Sequence, residues 1–438
     1  MIYQHPKMRY TYVGADNHKY SHTFVFMNFL SEKLGELVVS NTPSDFEGFI
    51  KEAQKYKQPE TELIFGFEDV THYGRTLAGF LISKGYTVKH VNANLVAQTR
   101  NASNVIQKTD FIDALSVARV LINRFDDLPH ARPHEAHFIM GLLVSKRQAF
   151  SKQKRKLKST LHSLLFPQYP NYHTFFSNLD AKSALAFYEQ FPSPHTLVGI
   201  SVEELTTFFS QIVYKKLAKQ KATLILDSVQ SAGVIKSDFQ GSIDYTIRLT
   251  VKELKTAMLH LAEIEDKLTN LLPHFNYPLT SMKGIDDLTA CRLIAEIGDV
   301  GRFKNAKALA QYAGIAPVVH SSGNRDIKHA NKRGNRQLNS IIHNITLVLI
   351  SPSGGQVLNP FFYHYYRKKI SEGKTKKQAM KVVSRRLINI IYGIMKHGEN
   401  YINPPVGYLD EKTGELITDE LNDNQLTHIE KRLATFKS

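Results

Sequence analysis

Apolar and polar positions alternate at strand spacing in the first third of the chain and then give way to helical spacing. Residues 9–16 carry β-branched and aromatic side chains and end on an acid, and residues 21–27 read as their hairpin partner. Residues 36–40 predict a short third strand, 62–68 a buried strand that again ends on an acid, and 86–91 a further strand. Helices are predicted over 44–56, with Ser44 as N-cap and Glu47 at the capping-box position, and over 71–84, stopped by Gly85. Residues 110–124 are helical, with Ile112, Leu115, Val117, Ala118 and Leu121 at helical spacing. Antiparallel strands followed by alternating helices and strands predict an α/β domain.

The middle of the chain has few breakers. Residues 137–165 predict one long helix ended by Pro167 and Pro170, residues 180–213 small helices, and residues 245–272 a second long helix. Two long helices bracketing small ones predict a helical hairpin or coiled-coil stalk, packed within the chain or against a second copy. Beyond them, helices are predicted over 288–297, 303–311, 337–350 and 374–395, and a loop of small and basic residues over 314–336. The fold class is therefore α/β plus all-α.

Charge changes this picture more than composition does. Lys and Arg number 56 against 40 Asp and Glu, a formal net charge of +16, which favours a polyanionic partner, most often nucleic acid. The densest basic runs are residues 146–158, with Lys146, Arg147, Lys152, Lys154 and Arg155, and residues 367–386, opened by Arg367, Lys368 and Lys369. Such runs contact phosphates and make binding steeply salt-dependent. The aromatic segment 361–366 suits either stacking on unpaired bases or the core of its own helix. Residues 401–438 form an acidic tail outside this basic surface. A single cysteine, Cys291, excludes a disulfide scaffold and a Cys-cluster metal site. No apolar stretch approaches the ~20 residues of a membrane span, and the N-terminus lacks a signal-peptide core, so a cytoplasmic protein without a membrane partner is expected.

Two segments carry candidate chemistry. Asp16 and Glu68 end predicted strands, and Asp110 and Asp113 stand three apart on a predicted helix, with Cβ atoms ~5–6 Å from one another. Carboxylates so placed suit Mg²⁺ or Mn²⁺, and a pair of such ions clamps the attacking and leaving oxygens of a phosphoryl displacement. Each acid alone also reads as a cap or a solvated helix residue. Further on, Ser321-Ser322-Gly323 is flanked by Arg325, Lys328, Lys332, Arg333 and Arg336. A hydroxyl in such a setting either attacks phosphorus or only donates to a phosphate.

Gly14-Ala15-Asp16-Asn17-His18-Lys19, Glu68 followed by Tyr73-Gly74, and Lys108-Thr109-Asp110-Phe111-Ile112-Asp113-Ala114 resemble the N-terminal motifs of the DEDD transposases. That family includes Piv-type DNA invertases and bridge-RNA-guided serine recombinases of bacterial insertion sequences. Residues 279–349 resemble its C-terminal transposase domain, through Tyr312-Ala313-Gly314 with Pro317, Ser322-Gly323, and Gly334-Asn335-Arg336 with Leu338. Residues 281–297 also resemble a helix–hairpin–helix element turning at Lys283-Gly284-Ile285, with a plain helical hairpin as the alternative.

The resemblance implies a RuvC-like, ribonuclease-H-type metal-binding domain over 1–130 and a helical coiled-coil region over 131–275. It further implies a mainly helical C-terminal transposase domain with a serine nucleophile over 276–400, and leaves 401–438 as a tail. It implies that Asp16, Glu68, Asp110 and Asp113 bind Mg²⁺ or Mn²⁺ and that Ser322, or Ser321 close behind it, forms a covalent phosphoserine link to DNA. Element ends and target DNA, a structured guide RNA and a nucleoid-associated setting in the bacterial cytoplasm follow from the same likeness, and the helical stalk makes a homo-dimer or tetramer the expected assembly. The rival readings are a metal-dependent RuvC-like nuclease or resolvase using activated water, and a non-catalytic nucleic-acid-binding protein.

Overall fold

A computed structural model describes residues 5–402 apart from 71, 103–108, 132, 134, 235–236, 317, 323–324, 330–333 and 354–355, together with 408–409 and 416–417. The chain forms two compact units, one of residues 1–139, 276–285 and 293–438, the other of 140–275 and 286–292.

The first unit opens with a five-stranded mixed sheet. Strands β1 (Tyr10–Asn17), β2 (Ser21–Met27) and β3 (Lys33–Ser40) form an antiparallel meander. β4 (Glu62–Phe67) lies parallel to β1 and β5 (Thr87–His90) parallel to β4, giving the order β3-β2-β1-β4-β5. The period of two along β1 sorts its side chains between two cores. Val13 and Ala15 join Phe24, Phe65 and Phe67 beneath α1 (Phe46–Ala53) and α2 (Arg75–Ser83). Tyr12 joins Ile64 and Val91 beneath α3 (Ala93–Ala102) and α4 (Asp110–Arg124), which contribute Val96, Ala114, Val117 and Leu121. Gly14 lets α4 lie directly on β1: a Cβ there would stand 2.1 Å from the Ala114 carbonyl oxygen and 2.4 Å from the Ala118 nitrogen.

The capping box expected at Ser44 and Glu47 does not form. Pro43 opens a short 3₁₀ turn, Pro43–Asp45, so the extended cap residue is Thr42 and α1 starts only at Phe46. Capping boxes are made instead by Ser201 with Glu204 and by Thr375 with Gln378.

In the second unit α5 (Glu135–Gln168) runs antiparallel to α9 (Gln240–Leu271). Arg147 pairs with Glu265, Phe150 packs on His260 with ring centroids 5.1 Å apart, and Gln240 donates to Gln168 at 2.8 Å. Between them lie α6 (Lys182–Gln190), α7 (Val202–Ser210) and α8 (Lys215–Ala232), around a core rich in Phe and Tyr. The expected helical hairpin is present within one chain. Helix α8 was not expected, because its buried stripe is Ala218, Ala222 and Ile225 among lysines and polar residues, too weakly apolar to show periodicity.

Lys154 and Lys158, one turn apart on α5, donate to Asp180 at 2.8 and 2.7 Å. These two ammonium groups hold its carboxyl far below the usual carboxylate range. The ionised form therefore contributes stability above the unfolded carboxylate pKa of about 3.9, which is lost as pH falls toward the lower folded value. Asp180→Asn is expected to cost about 1–2 kcal/mol at pH 7, discounted for solvent, and markedly less at pH 3. Urea midpoints of both proteins at the two pH values check this.

The first unit is completed by α10 (Asp287–Ile297), whose N-terminal residues belong to the second unit, and by α11 (Ala306–Tyr312). Strands β6 (Val318–Ser322) and β7 (Arg325–His329) follow, then α12 (Arg336–Ile350), α13 (Pro360–Ser371) and α14 (Lys376–His397). Helix α14 packs on α11, α12 and α13 and buries Val383, Leu387 and Ile391. The segment expected as a loop over 314–336 thus contains an antiparallel hairpin, with Ser322 opposite Arg325. The turn before α10 has a glycine at φ +100°, Gly284, but only the three-residue 3₁₀ turn Leu279–Ser281 precedes it. The first helix of a helix–hairpin–helix is not there. Among the described residues no helix is long and apolar enough to cross a membrane.

Candidate metal centre and serine hairpin

The crossing of β1 and α4 positions the acids. From Gly14, two residues along β1 lead to Asp16, a rise of ~6.6 Å. From Ala114, four residues back along α4 lead to Asp110, ~6 Å in the same sense. Thr109 caps α4 by accepting the Ile112 N–H at 3.3 Å, which places Asp110 and Asp113 in the first turn, where the helix dipole favours negative charge.

His18 joins them. Its Nε2 lies 3.1 Å from Asp16 Oδ2 and 3.2 Å from Asp110 Oδ1. One ligand atom from each of Asp16, His18 and Asp110 falls within 4.8 Å of the others. Burial raises the Asp16 carboxyl above the usual range, the nearby His18 opposes that, and the charges of Asp113 and Asp110 add to it. A carboxylate destabilised by burial and by two like charges is the arrangement that a divalent cation relieves, and the donor set fits one. Asp113 is buried and ion-paired to Arg100 of α3.

Glu68 immediately follows β4. The register Ala15↔Phe67 brings the two strands side by side to the point where Asp16 and Glu68 stand. Its main chain bonds the imidazole of His90, whose pKa is lowered by burial and then by Arg302. Arg302 lies over the rings of Phe303 and Tyr312, 4.7 Å from each centroid. Glu68 is not one of the three residues whose ligand atoms converge. Sequence reasoning missed His18 and Arg100. The first had a signal, since a histidine two residues past a strand-end acid is near enough to reach back to it. The second had none, as α3 was not expected.

Ser321 and Ser322 are the last two residues of β6, paired with Asp326 and Arg325 of β7. Gly323, Lys332 and Arg333 lie outside the described residues, and of Arg325 and the two serines the backbone alone is described. The flanks of the hairpin are clasped together. A Cβ on Gly334 would stand 2.3 Å from the Gly314 backbone, and Gly314 itself has φ +70°. The Asn335 N–H donates to the Tyr312 carbonyl at 2.6 Å, its amide to Glu296 at 2.8 Å, and its Oδ1 caps α12 at Leu338. The Asn339 amide donates to the Ala313 carbonyl at 2.9 Å. The Tyr-Ala-Gly and Gly-Asn-Arg segments are thus one structural element at the root of the strands.

The expected phosphate contacts divide. Lys146, Lys152, Arg155, Arg336, Arg367 and Lys368 are exposed. Arg147 and Lys154 are engaged by Glu265 and Asp180, and Lys369 by Glu372 at 2.7 Å. Of the aromatic run, Phe362 is buried, and Phe361 and Tyr365 lie under the Arg386 guanidinium, 4.8 and 5.1 Å from its carbon.

Two family models match the sequence, a DEDD-type transposase model over residues 13–170 and the transposase IS116/IS110/IS902 family over residues 276–360. A 44.8 kDa protein of insertion element IS116 from Streptomyces clavuligerus is 25% identical over 394 residues, 88% of this chain and 94% of that one. The pilin gene-inverting protein of Moraxella lacunata is 31% identical over 140 residues, 31% of this chain and 42% of its own length. The transposase for insertion sequence element IS1111A of Coxiella burnetii is 35% identical over 63 residues, 14% of this chain and 17% of that one.

Proposed function

We propose, because this chain belongs to the IS110/IS116 family of insertion-sequence transposases, that it cuts and rejoins DNA through a serine. Its five-stranded sheet with flanking helices fits the RuvC-like domain of DEDD enzymes. In this reading Ser322, or Ser321, attacks a backbone phosphorus. The serine oxygen bonds to phosphorus as one phosphorus–sugar oxygen bond breaks. The serine gives up its proton, and the freed sugar oxygen takes one. Attack by another strand's hydroxyl reverses the step, so no ATP is needed. Asp16, Glu68, Asp110 and Asp113 would hold divalent metal, Mg²⁺ or Mn²⁺, which supplies charge neutralisation at the phosphate and the leaving oxygen. The exposed Lys and Arg residues named above hold the phosphate backbone and position it without reading sequence. A structured guide RNA supplies that specificity, and a dimer or tetramer acts on element ends and target in the bacterial cytoplasm at the nucleoid. The boundaries near 130, 275 and 400 divide the chain into metal-binding, helical and serine-bearing parts.

The observation that carries this reading is the convergence of Asp16 and Asp110, far apart in sequence, with Asp113 one turn on. The test is a gapped suicide duplex of the element end, with its flanking RNA. The wild-type chain is expected to give a covalent protein–DNA adduct on a denaturing gel. Ser322→Ala abolishes it and Ser321→Ala retains it. Cleavage with no adduct assigns the chain to hydrolysis by activated water instead, and neither product leaves only nucleic-acid binding.

A further inference from the structure

We propose that His18 is itself a ligand of the metal, through Nε2, and that it makes the centre a mixed oxygen–nitrogen site that takes Mn²⁺ in preference to Mg²⁺. This rests on the reading of Asp16 and Asp110 as metal ligands. The geometry carries it. Two ligands at right angles around a six-coordinate ion, each ~2.1 Å from it, stand ~3 Å apart. Nε2 of His18 is 3.1 Å from the Asp16 oxygen and 3.2 Å from the Asp110 oxygen. Both separations match adjacent corners of one octahedron. His18 stands two residues beyond Asp16, just past the end of β1, where its N–H donates to the Ser21 carbonyl at 3.0 Å. Its side chain is 50% exposed, so burial does not hold the ring; without metal its contact with Asp16 is a hydrogen bond that a shared cation would replace.

The nitrogen changes which ion is favoured. Mg²⁺ demands oxygen ligands and dehydrates reluctantly, whereas imidazole is a ligand of first-row transition ions. An imidazole that replaces one water therefore helps Mn²⁺ more than Mg²⁺. The position has no counterpart among the four acids, so it tunes a site that they define.

The experiment uses the full-length chain, stripped of metal by chelation and titrated with Mn²⁺. Free Mn²⁺ is followed by its electron paramagnetic resonance signal, and bound Mn²⁺ by electron spin echo envelope modulation, which detects a directly coordinated ¹⁴N. The wild type is expected to show ¹⁴N modulation. His18→Gln, a half-exposed substitution that leaves the circular dichroism spectrum unchanged, is expected to lose it. The same variant should bind Mn²⁺ about tenfold more weakly while its affinity for Mg²⁺ moves less than about threefold. Bound Mn²⁺ without nitrogen modulation in the wild type, or modulation that persists in His18→Gln, overturns the proposal. Asp16→Asn separates this from the underlying reading. If Mn²⁺ affinity is indifferent to Asp16→Asn, the centre is elsewhere and both readings fall.

Discussion

Gly14→Val is expected to leave the first unit without a stable sheet, and Gly14→Ala to do nearly as much. The reason is the Cβ itself. At Gly14 it would meet the Ala114 carbonyl oxygen at 2.1 Å and the Ala118 nitrogen at 2.4 Å. Both are backbone atoms of one helix, so no rotamer change relieves the clash and α4 must lift from β1. Lifting it opens the core of Tyr12, Ile64, Val91, Ala114, Val117 and Leu121, all buried. Overpacking of a close core ordinarily costs 1–3 kcal/mol, and a backbone clash that separates two elements is expected to exceed about 4 kcal/mol. Gly48 is the control. It sits inside α1 with nothing within 4 Å of a built Cβ, so Gly48→Ala should be neutral or stabilise by up to about 1 kcal/mol. Thermal unfolding of the three variants checks this, and a Gly14→Ala protein that melts like the wild type would remove the account of how α4 is seated.

Asp16→Asn is expected to lower strand cleavage by about 10³-fold or more while leaving the fold intact. The two parts have one physical cause. Burial and the charges of Asp113 and Asp110 raise the Asp16 carboxyl above its unfolded value. A raised carboxyl contributes stability below the unfolded pKa and loses it as pH rises through the folded one. At neutral pH the ionised group therefore works against the metal-free fold, and the neutral isostere relieves it. The melting temperature of Asp16→Asn without metal should equal or exceed that of the wild type. Adding divalent cation should raise the wild type, by about 2.7 kcal/mol at a hundred times its dissociation constant, and leave the variant nearly unmoved. A structural role for Asp16 predicts the opposite pattern, with stability lost along with activity. Retained cleavage would end the assignment of Asp16 to the centre.

These expectations depend on different layers of information. The strands 10–17, 21–27 and 62–67 and helix α4 were legible because their periods are local and their apolar residues strong. Helix α8 was not, since a stripe of two alanines and one isoleucine carries little hydrophobic signal. The serine hairpin is a partial case. Gly323-Asn324 between two short segments is a recognised hairpin signal, but the basic residues around it obscured the alternation. The capping box at Ser44 failed because Pro43 sets the backbone one residue too early. The basic run of α5 read as one surface, yet Asp180 and Glu265 take up three of its charges from elements distant in sequence.

Taken alone, the sequence determined which residue types stand at the ends of strands and on the first turn of α4, because alternation and i,i+3 spacing need only neighbouring residues. It could not determine which of those residues meet. That was decided where β1 crosses α4: the missing side chain of Gly14 lets Asp16 and Asp110 both come within reach of the His18 nitrogen, while Arg100 reaches Asp113 from a third element. Such distances follow from how closely two backbones approach, and close approach is a property of the packed molecule.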